Sequence, residues 1–496
     1  MESFVAVVVF LSKTAVAFAV GFGCIRALRW TGAIWAPLRH VLAFGILIRL
    51  WAGLALYVIS FWNLPILRSL QLGDGFWFLA LDARWYFVSA AQAAGGAPIP
   101  PGSPSPSFVE ALAWWLWVAG IVPVTVVLFN LALYVLSCVM VIGVVRPMDR
   151  CSRRAALIVV AALSFSPVLI LLSSQPLKDA FSTFLIVMAA TGTATMLIRT
   201  RTVPMRGGLA ILMAASIALS VFLMAGVRTY YAMFMWSALA LALTASVGFA
   251  PRRLRIRFAG FAVVLLAVFW LAFMRGAGPY YVGYGNLITR TIGIRIPFIS
   301  PGADSLAIVP DAEPGLGAAA ESVVTLREGF ARTGGGTNLT IEKTAAGSGF
   351  DASMATLRGL AAMFLPISLL KLLSIVQFSG GRGFLAVTDL DTLFLDLALI
   401  AIVWLLVTSR RRLTRQNLPY LVFALGLALI AALPMAYIVT NYGTLFRLRL
   451  LATVPLFLVP LAFRSLEPGP SPVSQPAEGE RDDSAGSQAV ATTGAS

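Results

Sequence analysis

The chain has 496 residues, 59% of them hydrophobic and 12% charged, with a mean hydropathy of +0.88. A soluble domain carries roughly 25% charged residues, so this balance excludes a water-soluble globular protein and places the chain in a membrane. The formal net charge of +16 would point to a nucleic-acid partner in a soluble protein, but here the basic residues sit in short loops between apolar runs, where they report topology and no nucleic acid is expected.

Runs of about 20 apolar residues predict an all-α, polytopic membrane protein with about eleven spans. They fall at 4–25, 41–62, 123–145, 155–173, 179–198, 207–227, 230–249, 258–274, 391–407, 418–440 and 445–463. The start, Met1-Glu2-Ser3, has no basic leader and no small-residue cleavage site follows, so the first run is expected to be a retained span. The chain then divides into two first spans (1–62), a first outer loop with amphipathic helices (63–122), a helix bundle (123–274), a long outer segment (275–390), three C-terminal spans (391–463) and a tail (464–496). The tail is rich in Pro, Ser, Gly, Glu and Ala and is expected to be disordered.

Arginine fixes the expected orientation. Arg26, Arg29 and Arg39 mark one cytoplasmic loop, Arg146, Arg150, Arg153 and Arg154 the next, then Arg199, Arg201 and Arg206, then Arg252, Arg253, Arg255 and Arg257, then Arg410, Arg411, Arg412 and Arg415. The N-terminus is then outside, the C-terminus inside, and the arginine-rich loops fit a bacterial inner membrane. Counting the apolar run 357–378 as a span would put Arg410 to Arg415 on the wrong side, so this run, with Arg358, Pro366 and Lys371 in it, reads as an interfacial or re-entrant helix. No internal repeat is visible.

The first outer loop places charged residues between membrane spans. It holds Asp74, Asp82 and Arg84. If it is helical from Leu72 on, Trp77, Phe78, Leu81 and Trp85 recur at the spacing of an apolar face that could lie among lipid headgroups, while Asp82, Tyr86 and Ser89 share another face. Residues 97–106 are too rich in proline for regular structure, and Trp114, Trp115 and Trp117 stand where an aromatic belt belongs. The later outer turns carry Lys178 and Asp179, then Arg228, Tyr230 and Tyr231, then Asn441, Arg447 and Arg449.

Simple structural roles compete for several of these residues. Asp179 suits the positive end of a helix, and so do Asp389 and Asp391 at the start of the span near 391, with Asp396 deeper and available to a cavity. Lys13 and Arg49 lie inside spans, where they would snorkel or pack, and Arg228 could anchor an interface. Arg447 and Arg449 oppose the usual charge bias at that side of the membrane, which suggests an anion such as a lipid phosphate or diphosphate.

Together the outer face offers a carboxylate, phosphate-binding cations and an apolar slot, as lipid-linked sugar transfer requires. Asp82 would be the general base, with Asp74 the second choice, and Arg447, Arg449, Lys178, Arg228 and Asn441 would hold the departing phosphate. Asp179, Arg84, Tyr86, Tyr230 and Tyr231 would support them. Two carboxylates eight apart, Asp74 and Asp82, are a poor divalent-metal site, His40 is the only histidine, and Cys24, Cys138 and Cys151 have no ligand spacing, so no metal or other cofactor is expected.

Three motifs carry a family resemblance: Leu81-Asp-Ala-Arg-Trp-Tyr86, Ser174-Gln-Pro-Leu-Lys-Asp179 and Asn441-Tyr-Gly-Thr-Leu-Phe-Arg447. With the hydropathy plan they resemble the polytopic GT-C glycosyltransferases and related bacterial polysaccharide-assembly proteins. The resemblance implies a polyprenyl-phosphate sugar donor, a lipid-linked or cell-envelope glycan acceptor, inverting transfer at the outer face, and an acidic residue of the first outer loop, here Asp82, as catalytic base. A polysaccharide polymerase or ligase, and a transporter or flippase of lipid-linked sugars, remain open beside it. Transporters commonly show repeated halves and broken helices.

Overall fold

The computed structural model describes residues 2–77, 80–99, 105–145, 149–199, 207–249, 349–374, 382–415, 417–439 and 442–463, together with helical positions Gly260 and Val263. The first half of the chain supplies α1 (Glu2–Ile34), α2 (Ala36–Phe61), the strands β1 (Gln71–Gly73) and β2 (Phe76–Trp77), α3 (Leu81–Ala94), α4 (Pro106–Ala119), α5 (Thr125–Val144), α6 (Arg150–Phe165), α7 (Pro167–Ser173), α8 (Lys178–Arg199), α9 (Gly207–Val227) and α10 (Thr229–Phe249). The second half supplies α11 (Gly349–Phe364), α12 (Ile367–Leu372), α13 (Arg382–Thr408), α14 (Leu418–Ile438), α15 (Tyr442–Leu448) and α16 (Leu450–Leu458), ending in a 3-10 turn at Val459–Phe463.

Among the described residues eight helical segments are long and apolar enough to cross a membrane, and a ninth if the bent pair α6–α7 is one span. The protein is therefore an all-α polytopic membrane protein. The expected span 4–25 lies within α1, which is not among the eight, and the expected span 258–274 lies almost wholly outside the described residues. The described part of the run 357–378, residues 357–374, falls in and around α11 and α12, of 16 and 6 residues, and neither is among the eight. The bundle is built around α8, whose apolar window is 94% buried, against 28% for α2 and α13. It packs against α5, α9, α14 and α16. The outermost helices expose rows of large apolar side chains, such as Leu393, Leu397, Ile400 and Trp404 of α13, as a lipid-facing surface does.

The first outer loop departs from its helical reading. Gln71–Gly73 and Phe76–Trp77 pair as a short antiparallel ribbon, and a helix begins only at Leu81. The turn Gly73-Asp74-Gly75 has positive φ at all three residues, a conformation glycine adopts freely and aspartate tolerates. Trp77 is buried, and its indole Nε1 donates to the Leu56 carbonyl at 3.0 Å, so it does not lie among lipid headgroups. Trp114 and Trp117 of α4 are exposed, as a belt requires.

Two helices are broken at prolines, and both breaks are clamped by opposite charges. Pro167 divides α6 from α7 with a 53° bend. A proline has no N–H for the Leu163 carbonyl, and the Val168 N–H turns away from the Ser164 carbonyl to donate to Asp391 Oδ1 at 2.9 Å. Arg49 of α2 fills the vacancy, donating to both carbonyls, at 2.5 Å to Leu163 and 2.8 Å to Ser164, with its guanidinium 3.9 Å above the Tyr134 ring. The buried arginine thus sits at the negative end of α6 and a buried carboxylate at the positive end of α7. Pro366 divides α11 from α12 in the same manner: Asp389 accepts from the Ser368 N–H and hydroxyl, and Arg449 donates to the Met363 carbonyl at 3.3 Å. Both carboxylates belong to α13, which runs Arg382–Thr408, so Asp389 and Asp391 do not begin a helix at 391 but cap two other helices from within their own.

Candidate functional site

The site forms where the β1–β2 turn, the start of α3, the start of α8, the α9–α10 turn and α15 meet at one end of the bundle. Several hydrogen bonds bring these loops together. Asn130 of α5 donates from Nδ2 to the Ser173 and Gln175 carbonyls at 2.8 and 3.0 Å, fixing the turn before α8. Gln175 in turn donates from Nε2 to the Gly75 carbonyl at 3.3 Å, docking the ribbon turn on it. The α9–α10 turn is the single residue Arg228, set between Val227 and Thr229.

Asp179, in the first turn of α8, is buried and has both carboxylate oxygens occupied. Oδ1 accepts from Arg228 Nη2 at 2.6 Å, and Oδ2 accepts from Arg447 Nε at 2.7 Å. Arg447 then reaches outward, donating from Nη1 to Asp82 Oδ2 at 2.8 Å. Arg447 therefore bridges a buried carboxylate and an exposed one, the Asp82 side chain being 56% exposed. Arg228 Nη1 donates to the Tyr230 hydroxyl at 3.0 Å. Burial works against the Arg228 charge, but Tyr230 and Asp179 beside it carry the guanidinium above the ordinary arginine value, so it stays cationic.

Lys178 completes the cluster. Its Nζ donates to the Ser105 hydroxyl at 2.7 Å and lies 5.6 Å from the centre of the Tyr86 ring. Burial holds the Tyr86 phenol above its ordinary value, so the ring is a neutral platform beneath the Lys178 amine. Below it, Tyr86, Phe108, Phe181 and Phe129 stand ring against ring at centroid spacings of 5.2, 6.1 and 6.4 Å, an apolar floor. Farther along α8, Met188 and Thr191 help line a cavity of about 250 Å³ together with Met140 of α5 and Met213 of α9.

Of the residues expected from sequence, Asp82, Lys178, Asp179, Arg228, Tyr230, Arg447 and Tyr86 are thus brought together. Others are not. Asp74 and Arg84 pair at 3.5 Å on the surface, both more than half exposed. Tyr231 is buried in the bundle and donates to the Leu451 carbonyl at 2.7 Å. Arg449 points away from Arg447: it is ion-paired to Asp391, donates to the Thr392 hydroxyl at 2.8 Å and lies 4.0 Å from the Phe446 ring centre. Asn441 lies outside the described residues.

Sequence reasoning missed Ser105. This buried serine has φ +71°, and its hydroxyl donates to the Val227 carbonyl at 2.9 Å while accepting from Lys178. The signal was there: a serine followed by Pro106 is a helix-start pattern. Its hydroxyl makes no bond to the helix it precedes, because the site takes it.

Chemically, two guanidiniums and the Lys178 amine face two carboxylates in this cluster, one of them exposed. Arg447 Nη2 and Arg228 Nε are buried and have no hydrogen-bond partner among the described residues. Such an arrangement is suited to an anion with several oxygens. Among the described residues no group of three or more His, Cys, Asp or Glu side chains is placed to hold a metal ion. Fold and site together define a polytopic helical membrane protein with an ion-paired cluster, Asp82, Asp179, Arg228 and Arg447, at one end of the bundle. Comparison with family models, with curated proteins and with solved structures finds no match.

Proposed function

We propose that the protein is a membrane glycosyltransferase, GT-C-like and inverting, that moves a sugar from a polyprenyl-phosphate donor to a lipid-linked or cell-envelope acceptor. In this reading it has eleven spans in a bacterial inner membrane, its N-terminus outside and C-terminus in the cytoplasm, and the ion cluster faces outward. The observation that supports it is that Arg447 links Asp82, from the first large loop, to Asp179 and thereby to Arg228 and Lys178, so one exposed carboxylate stands beside a set of cations.

Asp82 takes the proton from the acceptor hydroxyl as that oxygen bonds to the anomeric carbon. The bond from the anomeric carbon to the phosphate oxygen breaks, its electron pair stays on the phosphate, and Arg447, Lys178 and Arg228 stabilise the added negative charge. The proton on Asp82, exposed as it is, passes to water. The aromatic floor offers apolar surface to a polyprenyl chain.

A second reading, a transporter or flippase of lipid-linked sugars, draws support from the two proline-broken helices with charges at their ends. The two readings separate in cells carrying wild type, Asp82→Asn or a deletion, with membrane levels of protein matched. Under the transferase reading, Asp82→Asn reproduces the deletion, accumulating a polyprenyl-linked sugar and losing one glycan modification. Wild-type behaviour of Asp82→Asn with a deletion phenotype for Arg447→Ala would remove Asp82 as base and favour the flippase, or a polymerase if single units still form.

A further inference from the structure

Asp82 is an unusual partner for Arg447. The other carboxylate of the cluster, Asp179, is 3% exposed and accepts through both oxygens, whereas Asp82 is 56% exposed and holds Arg447 through one oxygen only. Remove it, and Lys178, Arg228 and Arg447 face the single charge of Asp179. Each Asp179 oxygen already accepts from one guanidinium, Oδ1 from Arg228 and Oδ2 from Arg447, and its one charge does not balance three basic groups. Arg447 is therefore a seat for an anion: Nη1 is bound to the exposed Asp82, and Nη2, buried beside it, has no hydrogen-bond partner among the described residues. Lys178 adds a basic group whose only hydrogen bond among the described residues is to the neutral Ser105 hydroxyl.

We propose that Asp82 is a built-in occupant of this seat, displaced when a phosphate group binds Arg447. The inference rests on the transferase reading and deepens it. A phosphate spans both Nη atoms of a guanidinium, which the single Asp82 oxygen does not. Its arrival replaces one anion by another at Arg447 and releases the carboxylate, on the first turn of α3, toward the acceptor. Without a bound phosphate the carboxylate stays paired with Arg447, so the base is freed only when the donor is in place and stray water is not activated.

Displacement has a thermodynamic signature. A seat filled by Asp82 nine-tenths of the time lowers the apparent affinity for phosphate about tenfold, and removing the occupant restores it. The test is binding of farnesyl phosphate, and separately of inorganic phosphate, to the purified full-length protein in detergent, by titration calorimetry on wild type, Asp82→Asn, Asp82→Ala and Lys178→Met. The expected result is binding about tenfold tighter in both Asp82 variants and weaker in Lys178→Met. Tightening for farnesyl phosphate alone assigns the seat to a lipid phosphate, and tightening for both ligands assigns it to a phosphate of either source. Binding to wild type that is unchanged or weaker in the Asp82 variants overturns the displacement and leaves the transferase reading standing. Binding unaffected by Lys178→Met puts the ligand elsewhere and overturns it too. Failure of every protein to bind either ligand overturns both.

Discussion

Asp179→Asn is the sharpest perturbation of the cluster, because the side chain keeps its size and loses its charge. In the wild type one buried carboxylate receives Arg228 at 2.6 Å and Arg447 at 2.7 Å. The amide offers one acceptor oxygen and no charge, so two guanidiniums remain with one neutral partner. Breaking a buried pair from one side costs about 3–5 kcal/mol, most of it the uncompensated charge left behind. Arg447 is 20% exposed and still has Asp82, whereas Arg228 is 4% exposed and keeps only Tyr230, which sets the expected loss near the lower end, about 3 kcal/mol. That is a change of about 150-fold in the folded-to-unfolded ratio. The assay is the fraction of purified protein that stays monodisperse after heating, alongside a reversible detergent-denaturation titration. Asp179→Asn is expected to melt well below wild type, and adding Arg228→Met, which removes the stranded charge, is expected to recover part of the loss. A single variant as stable as wild type, or a double variant that loses the full sum, would refute the reasoning.

Two further expectations concern the scaffold. Arg49→Met leaves the Leu163 and Ser164 carbonyls without a donor at the α6–α7 break, at about 1–3 kcal/mol for each buried group, and the same melting assay should show it. Gly359→Ala places a Cβ 1.9 Å from the Ala436 carbonyl oxygen, where α11 lies against α14, and is expected to cost at least about 1–3 kcal/mol by forcing the helices apart. Gly143→Ala, with nothing within 4 Å of the new methyl, should melt as wild type and serves as the control.

Much of the architecture was readable because an apolar run of membrane length and an arginine-rich loop are both one-dimensional signals. The same signals sorted Asp82, Lys178, Asp179, Arg228 and Arg447 to one side, and that is where they meet. Which group pairs with which was not readable from side alone, since it depends on helical phase. Arg447 and Arg449 are two residues apart, about 200° around a helix, so they face opposite ways: one into the cluster, the other to Asp391. Asp389 and Asp391 diverge for the same reason, toward Ser368 and Val168. The loop from Leu72 misled by its spacing. Trp77, Leu81 and Trp85 fit a helical period, but Gly73-Asp74-Gly75 is a turn signal and the turn decided the structure. The proline breaks were visible as Pro167 and Pro366, but their clamps come from residues far away in the chain.

That distance matters for how the protein is made. The Ser166 hydroxyl and the Val168 N–H depend on Asp391, which follows Ser166 by 225 residues. At about 5–20 residues per second, the ribosome delivers that aspartate some 10–45 s after the break has been synthesised. Through that interval α2 is already present to supply Arg49 to the two carbonyls, but the Val168 N–H and the Ser166 hydroxyl cannot settle in lipid satisfied as they are in the finished bundle. A truncation or premature stop before α13 therefore leaves more than a missing end. It leaves an unclamped hinge upstream, which makes an early segment the weak point for the proteases that survey nascent membrane proteins.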